Sequence, residues 1–335
     1  MQTTMNAIEF AGAGGPEVLR AVQRPVPQPG ANEILIRHLA AGINGPDVMQ
    51  RKGLYNPPPG ASDIPGLEVA GIVAAVGAEV SHIQPGDQVV ALIPGGGYAE
   101  YSVADARTVT PLPEGLTPSE GAALLETFMT VWTNMFQRGQ FRRGDNILIH
   151  GGASGIGTTA TMLAKAFGAA KIITTVSTPE QREASLALGA DVAVLYRDED
   201  FVAASRQATD GRGMDIILDI IAGDYVARNY AAAAMNGRIV QIGVIAGPAK
   251  ELDLFPMLSK RLTHIGSTLR SRTADEKAAL LEELRSNVWP LLKAGTLKPL
   301  VYRSFPLAEA GQAHALMDSG QHIGKIVLTM TDSVA

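Results

Sequence analysis

Short apolar runs punctuated by Gly and Pro occupy the chain from Met1 to about Leu125 and predict a strand-rich first half. Residues 33–40 alternate apolar and polar side chains as a half-buried strand does, and 66–76 form an apolar, Gly-punctuated run. After the turn Pro85-Gly86-Asp87, residues 88–93 read as another strand, while 22–30 are a proline-rich connection. These pieces predict a compact β-domain of partly open barrel type.

From about Glu126 the pattern changes. Short β-branched runs at 146–150, 171–176, 192–195, 214–219, 238–242 and 263–268 alternate with Ala-rich stretches of helical period. Such alternation predicts a parallel sheet covered on both faces, and six such strands make a complete dinucleotide fold of the α/β class. Beyond them, 275–292 reads as an amphipathic helix, and strands at 301–305 and 324–330 flank a helix at 307–319. These last elements can return to the first domain.

The strand at 146–150 runs directly into Gly151-Gly152-Ala153-Ser154-Gly155-Ile156-Gly157, and a helix follows over 158–167. That order is the context a dinucleotide fingerprint requires. Glycines let the backbone approach a pyrophosphate, and the unpaired N–H groups of a helix start favour its charge. Ala153, Ser154, Gly155, Ile156 and Gly157 are therefore candidate cofactor contacts, although Ala-Ser-Gly-Ile-Gly departs from strict GxGxxG and a ligand-free tight turn is the alternative.

At the end of the second strand, Thr175-Val176-Ser177-Thr178 offers no carboxylate before Glu180, so a ribose 2′-phosphate is not repelled there. Ser177 and Thr178 supply hydroxyls and Arg182 a cation, unless Arg182 only solvates its surface helix. NADPH is the expected cofactor. Gly243-Val244-Ile245 and Thr268-Leu269-Arg270 follow the fifth and sixth strands, where loops face the ligand crevice, and are expected to close over the nicotinamide half.

Composition narrows the chemistry. A chain of 335 residues with 46% apolar content exceeds one compact domain, and a net charge of -5 gives no field to attract nucleic acid or anionic lipid, so neither is an expected partner. With no Cys, there are no disulfides, thiolate nucleophiles or cysteine-based zinc sites. The six His show no HxH or HExxH spacing, no metal is expected, and His150 reads as a strand-end residue. Residues 1–10 lack a signal-peptide pattern and no run approaches the roughly 18–20 apolar residues of a membrane span, so a cytoplasmic protein is expected.

The chain resembles the medium-chain dehydrogenase/reductase superfamily, specifically its zinc-free quinone oxidoreductase branch, which includes ζ-crystallin, and is most similar to the p53-inducible quinone oxidoreductase subgroup. The resemblance covers nearly the whole chain. It is carried by Asn44-Gly45-Pro46-Asp47-Val48-Met49-Gln50-Arg51-Lys52-Gly53-Leu54-Tyr55, Pro57-Pro58-Pro59-Gly60-Ala61-Ser62, Pro94-Gly95-Gly96-Gly97, Ser154-Gly155-Ile156-Gly157, Leu269-Arg270-Ser271-Arg272 and Ile323-Gly324-Lys325-Ile326-Val327-Leu328. It implies a GroES-like catalytic domain at 1–125, a Rossmann domain at 126–270 and a return to the catalytic domain over 271–335. It further implies an active site in the cleft between the domains, and a homodimer or dimer of dimers.

Zinc-dependent relatives carry Gly-His-Glu where this chain has Gly66-Leu67-Glu68, and a catalytic Cys near the present Gly42 to Asn44; the Cys-rich structural-zinc lobe is missing too. The resemblance places Asn44 and Tyr55 at the substrate and nicotinamide, with Asp47 holding the same loop or merely capping a helix. Thr130 lies near the nicotinamide or bonds its preceding turn, and Tyr196 lies near the adenosine 2′-phosphate or is a plain surface aromatic. Lys325 reaches the cofactor or the domain interface. One departure is Gln181, where relatives commonly carry a phosphate-binding Lys; Arg182, one residue on, is rotated by about 100° on a helix.

The expected activity is NADPH-dependent, metal-free reduction of quinones or activated enones, with protons from solvent or Tyr55. The alternatives are an enoyl-thioester or alkenal double-bond reductase on the same scaffold, and a noncatalytic NADPH- or RNA-binding protein of ζ-crystallin type.

Overall fold

A computed structural model describes residues 3–330. The chain divides into two compact units, one made of the stretch up to Thr127 together with that from Arg270 onward, the other of Phe128–Leu269. The strands in chain order are β1 (Thr4–Phe10), β2 (Leu19–Pro25), β3 (Glu33–Ile43), β4 (Glu68–Val76), β5 (Gln88–Leu92), β6 (Tyr101–Asp105) and β7 (Val109–Pro111). They continue with β8 (Asn146–His150), β9 (Lys171–Val176), β10 (Val192–Leu195), β11 (Met214–Asp219), β12 (Ala233–Gln241), β13 (Thr263–Gly266), β14 (Val301–Pro306) and β15 (Lys325–Thr329).

In the first unit, β1 and β2 form a ribbon, and a second sheet runs β14-β15-β3-β4-β5-β7, with β6 also on β3. Strand β3 is the hub: its long apolar run pairs antiparallel with β4, β6 and β15. One core cluster gathers Ile34, Ile36, Val69, Val73, Val89 and Ile93 inside this sheet. The pairing of β15 with β3 sets Val327 opposite Gly42, which brings Lys325 close to the segment that enters the helix Gly45–Arg51.

The second unit holds a parallel six-stranded sheet in the order β10-β9-β8-β11-β12-β13. Numbered within the unit this is 3-2-1-4-5-6, the doubly wound dinucleotide order, with the switch point at β8. All five residues of β8 are buried, as a central strand covered on both faces requires. The α/β class, the dinucleotide sheet and the strand-rich first unit thus agree with the sequence pattern.

Several boundaries differ for physical reasons. Strand β12 starts at Ala233 rather than 238 because Asn236, at φ 60°, and Gly237 read as a turn although they only disturb the pairing with β11. The helix expected at 275–292 is two, Ala274–Asn287 and Trp289–Lys293, since Pro290 has no N–H to continue the first. The helix after the glycine turn begins earlier than expected, at Gly155, with the Ser154 hydroxyl accepting from the Gly157 N–H at 3.0 Å. Residues 132–138 form a π-helix that follows the helix Leu125–Val131. Among the described residues no helix is long and apolar enough to cross a membrane.

Candidate active site

Two sets of functional side chains are built separately, one in each unit. In the first unit the loop before the helix Gly45–Arg51 is fixed by a reciprocal cap. The Asn44 N–H donates to Oδ2 of Asp47 at 2.9 Å, and Oδ1 of Asp47 accepts from the Gly66 N–H at 3.1 Å. Asp47 is fully buried, and burial pushes its carboxyl up to about 6 against the pull of those two N–H groups. Its geometry is that of a helix cap which also ties Gly66 to Asn44.

Lys325 lies at the centre of this set. Its ammonium donates to Ile43 O at 2.9 Å, to Oδ1 of Asn44 at 2.5 Å and to Oε1 of Glu68 at 2.7 Å. All three ammonium hydrogens are used. Since an ammonium cannot accept, the Asn44 amide oxygen must face it. Nδ2 accordingly donates to Oε1 of Glu68 at 2.9 Å, leaving its other hydrogen only a long contact to Gly42 O at 3.5 Å.

Tyr55 lies 5.5 Å below the Arg270 guanidinium, ring centroid to cation. Arg270 is itself clamped: it donates to Pro94 O at 3.0 and 2.7 Å and to Oε1 of Gln50 at 3.0 Å, and Lys277 donates to its carbonyl. The Tyr55 hydroxyl makes no hydrogen bond among the described residues. Burial raises its pKa although Arg270 opposes this.

A second polar chain supports the same loop. Arg51, fully buried, donates to Asp318 at 2.6 Å and to Nδ1 of His314 at 3.1 Å. Because a guanidinium only donates, Nδ1 of His314 accepts, and Nε2–H must donate to the Tyr98 hydroxyl at 2.9 Å. Tyr98 in turn faces Asp47; burial first, and the Asp47 charge second, hold its phenol well above the ordinary range. Burial and Arg51 pull His314 down to about 3, so it is the neutral imidazole that this chain requires.

In the second unit the glycine turn is tight by necessity. A Cβ on Gly157 would lie 2.2 Å from Gly151 O, and Gly151 has φ 69°. The turn is anchored beneath by His150, whose Nε2 donates to Asn229 at 2.7 Å while Asn229 donates to Asp219 at 2.9 Å. Thr175 bonds Nδ1 of His150 at 3.1 Å and accepts from the Gly151 N–H at 3.3 Å. His150 is thus a strand-end residue that holds the turn. These residues fit a pyrophosphate: a backbone cradle with no Cβ in the way, at a helix start.

At the end of β9, Ser177 donates through N–H and hydroxyl to Oε1 of Gln181 at 3.0 and 2.7 Å, and the Thr178 hydroxyl caps the next helix. Gln181, buried, locks this loop. Arg182 donates to Ala193 O at 2.8 Å and to both oxygens of Glu199, which lowers the Glu199 pKa. Tyr196 is exposed, with the Arg197 guanidinium 5.8 Å from its ring centroid. Val244 and Ile245 are exposed, whereas Leu269 and Thr130 are buried, and Asn134 donates to Thr130 O at 2.8 Å.

The structure therefore brings Asn44, Asp47 and Lys325 into one bonded set and Tyr55 against Arg270, while Ala153 to Gly157 share one turn. Arg182 points to Glu199. Sequence reasoning passed over Glu68, Glu126, Gln50, Lys277, His314 and Arg197. A signal existed for two of them, since Glu68 and Glu126 are single charges inside otherwise apolar runs.

At the positions where zinc-dependent relatives hold their metal, Leu67 is buried and apolar, and a Cβ on Gly42 would lie 2.2 Å from Ala122 O and 2.5 Å from Oε1 of Glu68. Glu68 is engaged by a buried ammonium. Among the described residues no three His, Asp or Glu side chains group as metal ligands. The donor set does not fit a zinc ion.

Two known families match successive stretches of the chain. Residues 30–114 match the family described as alcohol dehydrogenase GroES-like domain, and 155–286 the one described as zinc-binding dehydrogenase. The quinone oxidoreductase of Sus scrofa is 32% identical over 332 residues, covering 98% of this chain and 99% of the relative. The Escherichia coli quinone oxidoreductase, solved in complex with NADPH, superimposes with a TM-score of 0.86 at 32% identity, covering 97% and 99% of the two chains. The CurK enoyl reductase does so at 0.86 and 27% identity, covering 98% and 100%. A GroES-like unit with a doubly wound dinucleotide sheet defines a medium-chain dehydrogenase/reductase. Within that family of oxidoreductases, this chain belongs to the quinone oxidoreductase type.

Proposed function

We propose that this protein reduces quinones with NADPH and without a metal. The observation that carries the reading is the closed Lys325–Glu68–Asn44 set, which stands where a zinc dehydrogenase would need open ligands. NADPH, held at the Gly151–Gly157 turn, supplies a hydride when bound.

The remaining chemistry falls to this chain's side chains. The Tyr55 hydroxyl has no partner among the described residues and is therefore available to a carbonyl oxygen, with Arg270 behind the ring adding positive potential. The Lys325 charge reaches the substrate through the Asn44 amide, whose second Nδ2 hydrogen is only loosely held. Preference for NADPH is supported by the absence of a carboxylate from Thr175 to Thr178. It is also supported by Arg197, which forms no ion pair among the described residues and follows a strand beside β9. Arg182, neutralised by Glu199, is the weaker candidate for a 2′-phosphate.

The likeness to CurK enoyl reductase favours a second reading, reduction of an enoyl-thioester double bond with Tyr55 as proton donor. The purified protein should oxidise NADPH faster than NADH with 1,2- and 1,4-quinones, and Arg197→Ala should shrink that preference by about tenfold, the loss of one charge-assisted bond worth about 1.4 kcal/mol. Turnover of enoyl-CoA with none of quinones would replace the first reading by the second. NADPH binding with no electrophile reduced would defeat both.

A further inference from the structure

Glu126 is the second residue of the helix Leu125–Val131 and is 8% exposed. Its backbone N–H donates to Oε2 of Glu68 at 3.0 Å, so two carboxyl-bearing side chains meet in one buried place. Among the described residues the Glu126 carboxyl itself accepts no hydrogen bond and forms no ion pair. The positive charges that act on it are those of Lys325 and Lys277, the negative ones those of Glu68 and Asp47, and its own charge acts on Tyr55 and Arg270.

None of those cations pairs with the Glu126 carboxyl among the described residues, and each bonds another group. Lys325 uses its hydrogens on Ile43 O, Asn44 and Glu68; Lys277 donates to Arg270 O; Arg270 bonds Pro94 O and Gln50. An ionised carboxylate left there would be desolvated without a partner and repelled by Glu68. The helix start favours the charge too weakly to offset this. The proton therefore stays on, and burial first, then Glu68, pushes the Glu126 pKa up to about 8. Asp47 differs because two backbone N–H groups bond its oxygens.

We propose that Glu126 is the acid that protonates the reduced substrate, an inference that rests on the reading of carbonyl reduction given above. As hydride from the reduced nicotinamide enters the conjugated carbonyl, the substrate gains two electrons and its oxygen becomes negative. The Glu126 O–H bond breaks, an O–H bond forms on the product, the nicotinamide is left oxidised, and the Glu126 carboxylate recovers a proton from solvent. A neutral acid poised near the working pH is the group such a step requires.

The test is the pH profile of NADPH-dependent quinone turnover in Glu126→Gln beside the wild type. The wild-type kcat should fall about tenfold per pH unit above about 8, because the acid form is the active one. Glu126→Gln should lose at least about a hundredfold in kcat at pH 7 and lose the alkaline limb, while NADPH affinity stays within about twofold and Glu126→Asp restores part of the rate. A Gln variant that keeps the wild-type rate and limb overturns the proposal. Infrared spectra of the wild type decide the matter even if the variants fold poorly: a protonated-carboxyl band should be present at pH 7 and vanish as the pH rises through about 8. Its absence at pH 7 overturns the proposal as well. A wild type that reduces no carbonyl substrate sinks the underlying functional reading, whereas an active wild type with an unchanged variant sinks only the role of Glu126.

Discussion

Lys325→Met is expected to destabilise the first unit by about 3–5 kcal/mol and to remove turnover, the loss found when one partner of a buried ion pair is deleted. Glu68 is 1% exposed and Lys325 4% exposed, so neither charge can fall back on water. Without the ammonium, Oε1 of Glu68 keeps only the Asn44 amide, and the Asn44 oxygen loses its donor and with it the orientation of Nδ2. The double variant Lys325→Met with Glu68→Gln should recover much of the stability but little of the turnover, because a neutral amide costs far less to bury than an orphaned carboxylate. Urea denaturation at pH 7 measures this. A single variant within about 1 kcal/mol of wild type would show that Glu68 finds another partner and that the set is not closed.

The second large effect belongs to the glycine turn. In Gly157→Ala the new methyl would meet Gly151 O at 2.2 Å and the Gly152 backbone at 2.6 Å, all of it main chain that cannot swing aside. The turn must open, at a cost of about 1–3 kcal/mol in stability, and NADPH affinity should fall by roughly a hundredfold or more as the N–H groups lose their aim. Titration calorimetry reads the affinity directly. Because the His150–Asn229–Asp219 chain lies beneath the turn rather than in it, the fold should survive in Gly157→Ala. Retained affinity would mean that the cradle is not the pyrophosphate site.

The dinucleotide sheet was legible because β8 to β11 are short apolar runs with turn residues at both ends, buried on both faces, so that pattern and structure carry the same information. The ribbon of β1 and β2 was not, since six of its fourteen side chains face solvent and only three are buried. Asn44, Asp47, Tyr55 and Lys325 were nameable individually from motif and resemblance. Their bonding was not nameable, because nothing in spacing links Lys325 to an amide 281 residues earlier. Arg182 shows the same gap: its charge was visible, but its partner Glu199, 17 residues on, decides where it points. Glu126 was passed over because a lone acid in an apolar run is ordinarily read against the hydrophobic pattern, whereas burial beside a second acid is what gives it chemistry.

The pairing of β15 with β3 also bears on how the molecule is made. The ammonium that neutralises Glu68 is carried by a segment that follows the entire second unit in the chain. During synthesis β3, β4 and Glu68 emerge first, and their buried acid has no cation until the intervening sheet has been translated and the chain has come back. The entropy of closing so long a loop rises only slowly with its length, and a compact second unit shortens the effective span. The first unit is thus the last to be completed, and a nascent chain waiting in that state exposes the edge of β3 that β15 will later cover.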